Sequence, residues 1–130
     1  MRLRRKVGLL GAMSLVLICA SIPLRAQEGT AIERGNAKFQ HSCAPCHGPG
    51  PGDDGRAMLP GTDALRIKYR GTPTPALLEE RSDLPYAVLR AFVRQGSMSM
   101  PPFRPTELTD QEIEDIAAYL AESSKNAAGE

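Results

Sequence analysis

The chain has 130 residues, enough for one domain, and its formal charge of +1 hides an asymmetry: five of its 16 Lys and Arg, and none of its 15 Asp and Glu, fall in residues 1–26. Residues 27–130 therefore hold 11 basic against 15 acidic groups, a formal charge of −4 that argues against nucleic acid as a partner. With no Trp, three Phe and three Tyr the core can only be modest, and the two cysteines beyond residue 26 offer no disulfide framework to support it.

Arg2, Arg4, Arg5 and Lys6 precede an apolar run from Val7 to Leu24, broken by Gly8, Gly11, Ser14, Ser21 and Pro23, and Ala26 offers a small residue for cleavage. This is the pattern of a secretory signal peptide, which implies export to the periplasm. The expected organisation is a signal segment over 1–26 and one domain over 27–130. Retention of the segment as an anchor is the competing arrangement, since the run approaches the ~20 residues that span a bilayer. Only in that case does the chain engage a membrane. Cys19 follows Ile18, where a lipoprotein signal wants a small residue, and reads as part of the apolar run.

Thr30-Ala31-Ile32-Glu33 matches a capping box and predicts a helix running to about Ser42, with Ile32, Gly35 and Phe39 on one face. Gly35 in that face suits close approach of a second helix. The helix delivers Cys43-Ala44-Pro45-Cys46-His47, the C-x-x-C-H signal for covalent attachment of c-type haem. Two thiols add across porphyrin vinyl groups, and the adjoining imidazole gives iron its proximal nitrogen. A thioredoxin-like pair would require a βαβ surround that the flanks lack. Structural zinc requires four well-spaced ligands, and the only other histidine, His41, is too close. A Cys43–Cys46 disulfide would close almost no loop and leave His47 without a role.

Gly48-Pro49-Gly50-Pro51-Gly52-Asp53-Asp54-Gly55 is a run of turn formers, read as a loop over the haem edge. It lacks the G-K-[ST] and preceding strand of a phosphate cradle. Thr62 to Tyr69 reads as one or two helical turns and Pro75 to Arg81 as a brief helix. Ser82-Asp83-Leu84-Pro85 then opens a clearer helix with a capping side chain, a first-turn proline and a buried stripe of Leu84, Val88, Leu89 and Phe92. Gly96 stands at its C-terminal cap. Thr109-Asp110-Gln111-Glu112 is a second capping box, flanked by Leu108 and Ile113 as a hydrophobic staple. Ile113, Ile116, Ala117 and Leu120 form the stripe of that last helix, Tyr119 can meet Phe39, and Ser123 to Glu130 reads as a frayed tail.

Candidates for a sixth iron ligand are His41, Met58, Met98 and Met100. His41 is tethered too near His47 to reach the opposite face of a ring, and Met58 lies in the glycine-rich loop, where edge packing is favoured. Met100 is preferred because Pro101 and Pro102 stiffen the segment after it. Met98 is the alternative, since i and i+2 point the same way in an extended loop.

On these residues the chain resembles the class I c-type cytochromes, from the capped helix 30–42 through Cys43-Ala44-Pro45-Cys46-His47 and Met100-Pro101 to Asp115-Ile116-Ala117-Ala118-Tyr119-Leu120. The resemblance implies an all-α fold of three to five helices round one haem c, with the Gly35–Phe39 face crossing the Tyr119 helix near a right angle. It also implies Cys43 and Cys46 as attachment points, His47 as proximal ligand and Met100 as distal ligand. Phe92-Val93-Arg94-Gln95-Gly96 and Met100-Pro101-Pro102-Phe103-Arg104 resemble, more narrowly, the cytochrome subunits of flavocytochromes that oxidise p-cresol or eugenol-type phenols. The implied function is one-electron transfer from a flavoprotein or quinoprotein dehydrogenase to a downstream acceptor, without catalysis by the chain itself. The contrasting function is a haem enzyme or sensor, a small peroxidase or gas-binding protein, with a displaceable sixth ligand.

Overall fold

The computed structural model describes residues 29–52, 55 and 57–129; the signal segment expected over 1–26 lies outside the described residues. The described elements are α1 (Ala31–Ser42), α2 (Ala44–His47), α3 (Pro60–Lys68), a 3-10 turn (Leu78–Glu80), α4 (Tyr86–Gln95) and α5 (Asp110–Ala128). Among the described residues there is no strand, as an all-α chain requires, and no helix is long and apolar enough to cross a membrane.

The two longest helices, α1 and α5, begin with the capping boxes read from the sequence. Thr30 Oγ1 accepts from the Glu33 amide at 3.2 Å while Glu33 accepts from the Thr30 amide at 2.7 Å, and Thr109 and Glu112 repeat both distances. Each box satisfies two amides that the first helical turn leaves unpaired. Leu108 and Ile113 are both buried, as a staple requires.

Helices α1 and α5 cross at Gly35, where a β-carbon would stand 2.0 Å from the Asp115 carbonyl oxygen, so the backbones touch with no side chain between them. One turn on, Phe39 is fully buried and tilts against Tyr119 with ring centroids 5.5 Å apart. Beside the crossing, Arg34 grips Asp115 with two parallel bonds of 2.8 and 2.9 Å, and Gln111 donates to the same carboxylate at 3.2 Å. Asp115 is 2% exposed while Arg34 keeps a quarter of its side chain in solvent, so this bidentate pair is desolvated on the carboxylate side only. Ile32, expected on the buried face, is exposed instead, because the contact is centred on Gly35 and Phe39.

Other elements depart from the sequence reading. Helix α3 starts at Pro60, with proline supplying the helical φ and no capping side chain. The brief helix expected over 75–81 contracts to the 3-10 turn. Helix α4 begins after Pro85; Ser82 and Asp83 do not cap it, because the Asp83 carboxylate takes two bonds from Arg81 at 2.8 and 2.7 Å. Its core stripe is Leu89 and Val93, joined by Leu84 from the preceding loop, whereas Val88 and Phe92 lie on an exposed flank. The tail is ordered helix as far as Ala128: Ser124 extends the stripe of Ile113, Ile116 and Leu120 by one turn, and Gly129 closes the helix in the left-handed conformation.

Candidate cofactor site

Cys43 closes α1 and opens α2. Its amide bonds to the Phe39 carbonyl at 2.8 Å, and its own carbonyl accepts from Cys46 and His47 at 3.1 and 2.8 Å. The motif is thus wound into a single turn, with Pro45 in its first residues, where a missing N–H costs nothing. Ala44 and Pro45 do more than span the gap: Ala44 packs on the core, and Pro45 lines the groove described below. Both thiols are free, Cys43 packed against the core and Cys46 exposed. Burial, with a smaller push from Cys46, raises the Cys43 thiol to about 11. A protonated thiol of this kind is the opposite of the acidic cysteine that redox dithiols depend on.

His47 is half-buried, and burial lowers its pKa, so the ring is held neutral with a lone pair to give. Its buried Nδ1 has no hydrogen-bond partner. Helix α3 forms the seat of the motif. A β-carbon at Gly61 would come within 2.7 Å of His47 Cε1 and 2.8 Å of both Nδ1 and the Cys46 carbonyl, so only glycine leaves the imidazole its place. Thr62, itself buried, donates to the Gly48 carbonyl at 2.9 Å and ties the first turn of α3 to the end of the motif. The sequence reading missed both residues, although Pro60-Gly61 at a helix start was a visible sign of close approach.

The segment after α4 is a tight turn and not the extended loop expected. Ser97 and Met100 exchange two backbone bonds of 3.0 and 2.9 Å, with Met98 and Ser99 at the tip. Met98 has a φ of 53° and is fully exposed, while Met100 is half-buried against the core. Reversal of the chain at the tip removes the parallel i, i+2 geometry on which a competing role for Met98 relied. Of the other two candidates, His41 is exposed on the last turn of α1 and Met58 is half-buried. Beyond Met100, the Phe103 amide bonds to the Val93 carbonyl at 2.8 Å and the Phe103 carbonyl accepts from Arg94 at 3.0 Å, fastening the segment to α4.

Pro45 of the motif and Pro101, Pro102 and Phe103 beyond Met100 line one open groove of about 540 Å³, with Lys38, His41 and Glu107 among its polar residues; Cys43, Cys46, His47 and Met100 do not line it. Two thiols and an imidazole in one helical turn, with a thioether packed on the same core, form a donor set whose chemistry suits a covalently attached porphyrin iron. The family model described as cytochrome c oxidase, cbb3-type, subunit III, matches residues 30–120. The chain belongs to this family of c-type cytochromes. The matched stretch runs from the cap of α1 to Leu120 of α5, so it includes both capping boxes, the C-x-x-C-H turn and the methionine turn. This cytochrome domain has the class I fold, and membership of the family makes it a haem c electron-transfer protein. No curated protein matches the chain.

Proposed function

We propose that this cytochrome is a periplasmic, mono-haem carrier in which Cys43 and Cys46 form the thioethers, His47 is the proximal ligand and Met100 the distal one. The observation that carries this reading is the pairing of a half-buried His47, seated on Gly61 at the end of the C-x-x-C-H turn, with a Met100 packed on the core from a fastened loop. Haem c held by these residues supplies a one-electron iron couple whose potential a thioether ligand raises. His47 serves as a neutral donor whose ring is located by Gly61. Met100, braced by Pro101 and Pro102, would supply the second protein ligand to the iron, which favours electron transfer over catalysis.

The donor is a dehydrogenase, and the flavoproteins that oxidise p-cresol-type phenols are the specific class, supported by the likeness of 92–96 and 100–104 to their cytochrome subunits. The matching family is described by an oxidase subunit, which supports an oxidase of the respiratory chain as the downstream acceptor. A formal charge of −4 over 27–130 suits docking faces that are basic or mixed. The test is export of the full chain in a host that matures c-type cytochromes, followed by intact mass and a redox titration of the periplasmic fraction. One covalent haem titrating reversibly as a single one-electron couple, with one thioether lost in each of Cys43→Ser and Cys46→Ser, supports the reading. Absence of covalent haem, or retention in the membrane fraction, contradicts it. Reduction by a flavoprotein phenol dehydrogenase, compared with a quinoprotein, tests the donor.

A further inference from the structure

We propose that Gly96 is the positioning residue that selects Met100 over Met98 as the distal ligand, an inference that rests on the His47/Met100 reading above. Gly96 ends α4 with φ 70° and ψ 178°, a backbone region that residues with a β-carbon essentially do not enter. The space around it is also closed. A β-carbon there would stand 2.7 Å from the Met100 carbonyl oxygen, 3.0 Å from the Pro102 nitrogen and 3.2 Å from Pro102 Cδ. The chain therefore leaves α4, turns through Ser97 to Met100, and comes back to lie directly on Gly96.

This return sets the register of the turn. The pair of bonds between Ser97 and Met100 puts Met98 and Ser99 at the tip, and Met98 accepts a φ of 53° with its side chain wholly in solvent. Met100, on the returning arm, is the one directed at the core. Two methionines two residues apart are thus made inequivalent by backbone contact at Gly96. A side chain at Gly96 forces the Met100 carbonyl away and loosens the distinction between them.

Gly71 is an internal control: its φ is 79°, and nothing lies within 4 Å of where its β-carbon would be. Gly71→Ala therefore controls for a side chain at a positive φ in open space, whereas Gly96→Ala crowds the methionine turn. The readouts on the oxidised holoprotein are the near-infrared sulfur-to-iron band and its displacement by added imidazole. In Gly96→Ala the band weakens, imidazole binds about tenfold tighter than in wild type, and the residual band falls further when Met98→Leu is added; Gly71→Ala stays close to wild type. If Gly96→Ala does not retain haem, one glycine inserted between Gly96 and Ser97 adds no β-carbon yet shifts the return by a residue. It gives the same dependence on Met98. Equal behaviour of Gly96→Ala and Gly71→Ala, or an inserted protein that still relies on Met100 alone, overturns the proposal. A wild-type band that survives Met100→Ala signals instead that the Met100 reading itself has failed.

Discussion

The crossing of α1 and α5 and the site layer of α2, the start of α3 and the methionine turn are built on opposite terms. At the crossing the polypeptide satisfies itself: Gly35 lies on the Asp115 backbone, Phe39 is fully enclosed, and the buried Asp115 carboxylate takes bonds from Arg34 and Gln111. In the site layer the chain encloses its side chains less completely: Cys46 is exposed, and Cys43, His47 and Met100 are only half-buried. The scaffold is closed by the chain; the site layer is made to be completed by a cofactor.

The sharpest way to break this contrast is at Gly35. Gly35→Ala puts a β-carbon where the Asp115 backbone already stands, so the helices must part, and a loss of about 4 kcal/mol is expected in denaturant unfolding. A loss within experimental error would show that the crossing is not rigid. Next is the ion pair beside it: Arg34→Ala leaves the buried Asp115 carboxylate with Gln111 as its remaining donor, and a fall in the unfolding midpoint smaller than that of Gly35→Ala is expected. Arg34→Ala combined with Asp115→Asn recovers part of that loss, because the stranded charge is removed.

How much of this was legible in the sequence divides along the same line. Capping boxes at Thr30 and Thr109 and the Gly35 and Phe39 face are local patterns with local causes, and they stand in the structure as read, as does the contact of Phe39 with Tyr119. Features that depend on distant partners were not legible. Asp115 meets Arg34 from 81 residues away. Val88 and Phe92 fit an apolar stripe equally well, and only packing against the rest of the chain decides that Leu89 and Val93 are the buried pair. The turn at 97–100 was hidden because neither Met98 nor Ser99 is a residue that favours positive φ.

Smaller effects refine the contrast. The Tyr119 hydroxyl donates to Glu79, and burial together with that carboxylate pushes its pKa up to about 12. A raised pKa means the neutral phenol is favoured by the fold, so its contribution is complete below about pH 10 and is lost as pH rises toward about 12. Tyr119→Phe should lose about 1 kcal/mol at neutral pH and show a shallower fall in melting temperature across that alkaline window. A parallel fall in both proteins would remove Tyr119 from the account. Least of all, Met98→Gly relieves the positive φ at the turn tip and should raise stability by about 0.5 kcal/mol, a change no core contact opposes.

The central claim is that His47 and Met100 together close the iron, making the motif half of a six-coordinate carrier. Its most direct test is the near-infrared spectrum of the oxidised holoprotein beside Met100→Ala and Met98→Ala. A low-spin spectrum with a sulfur-to-iron band, lost in Met100→Ala and kept in Met98→Ala, is the predicted result. A band that persists in Met100→Ala, or a high-spin wild type, would contradict it.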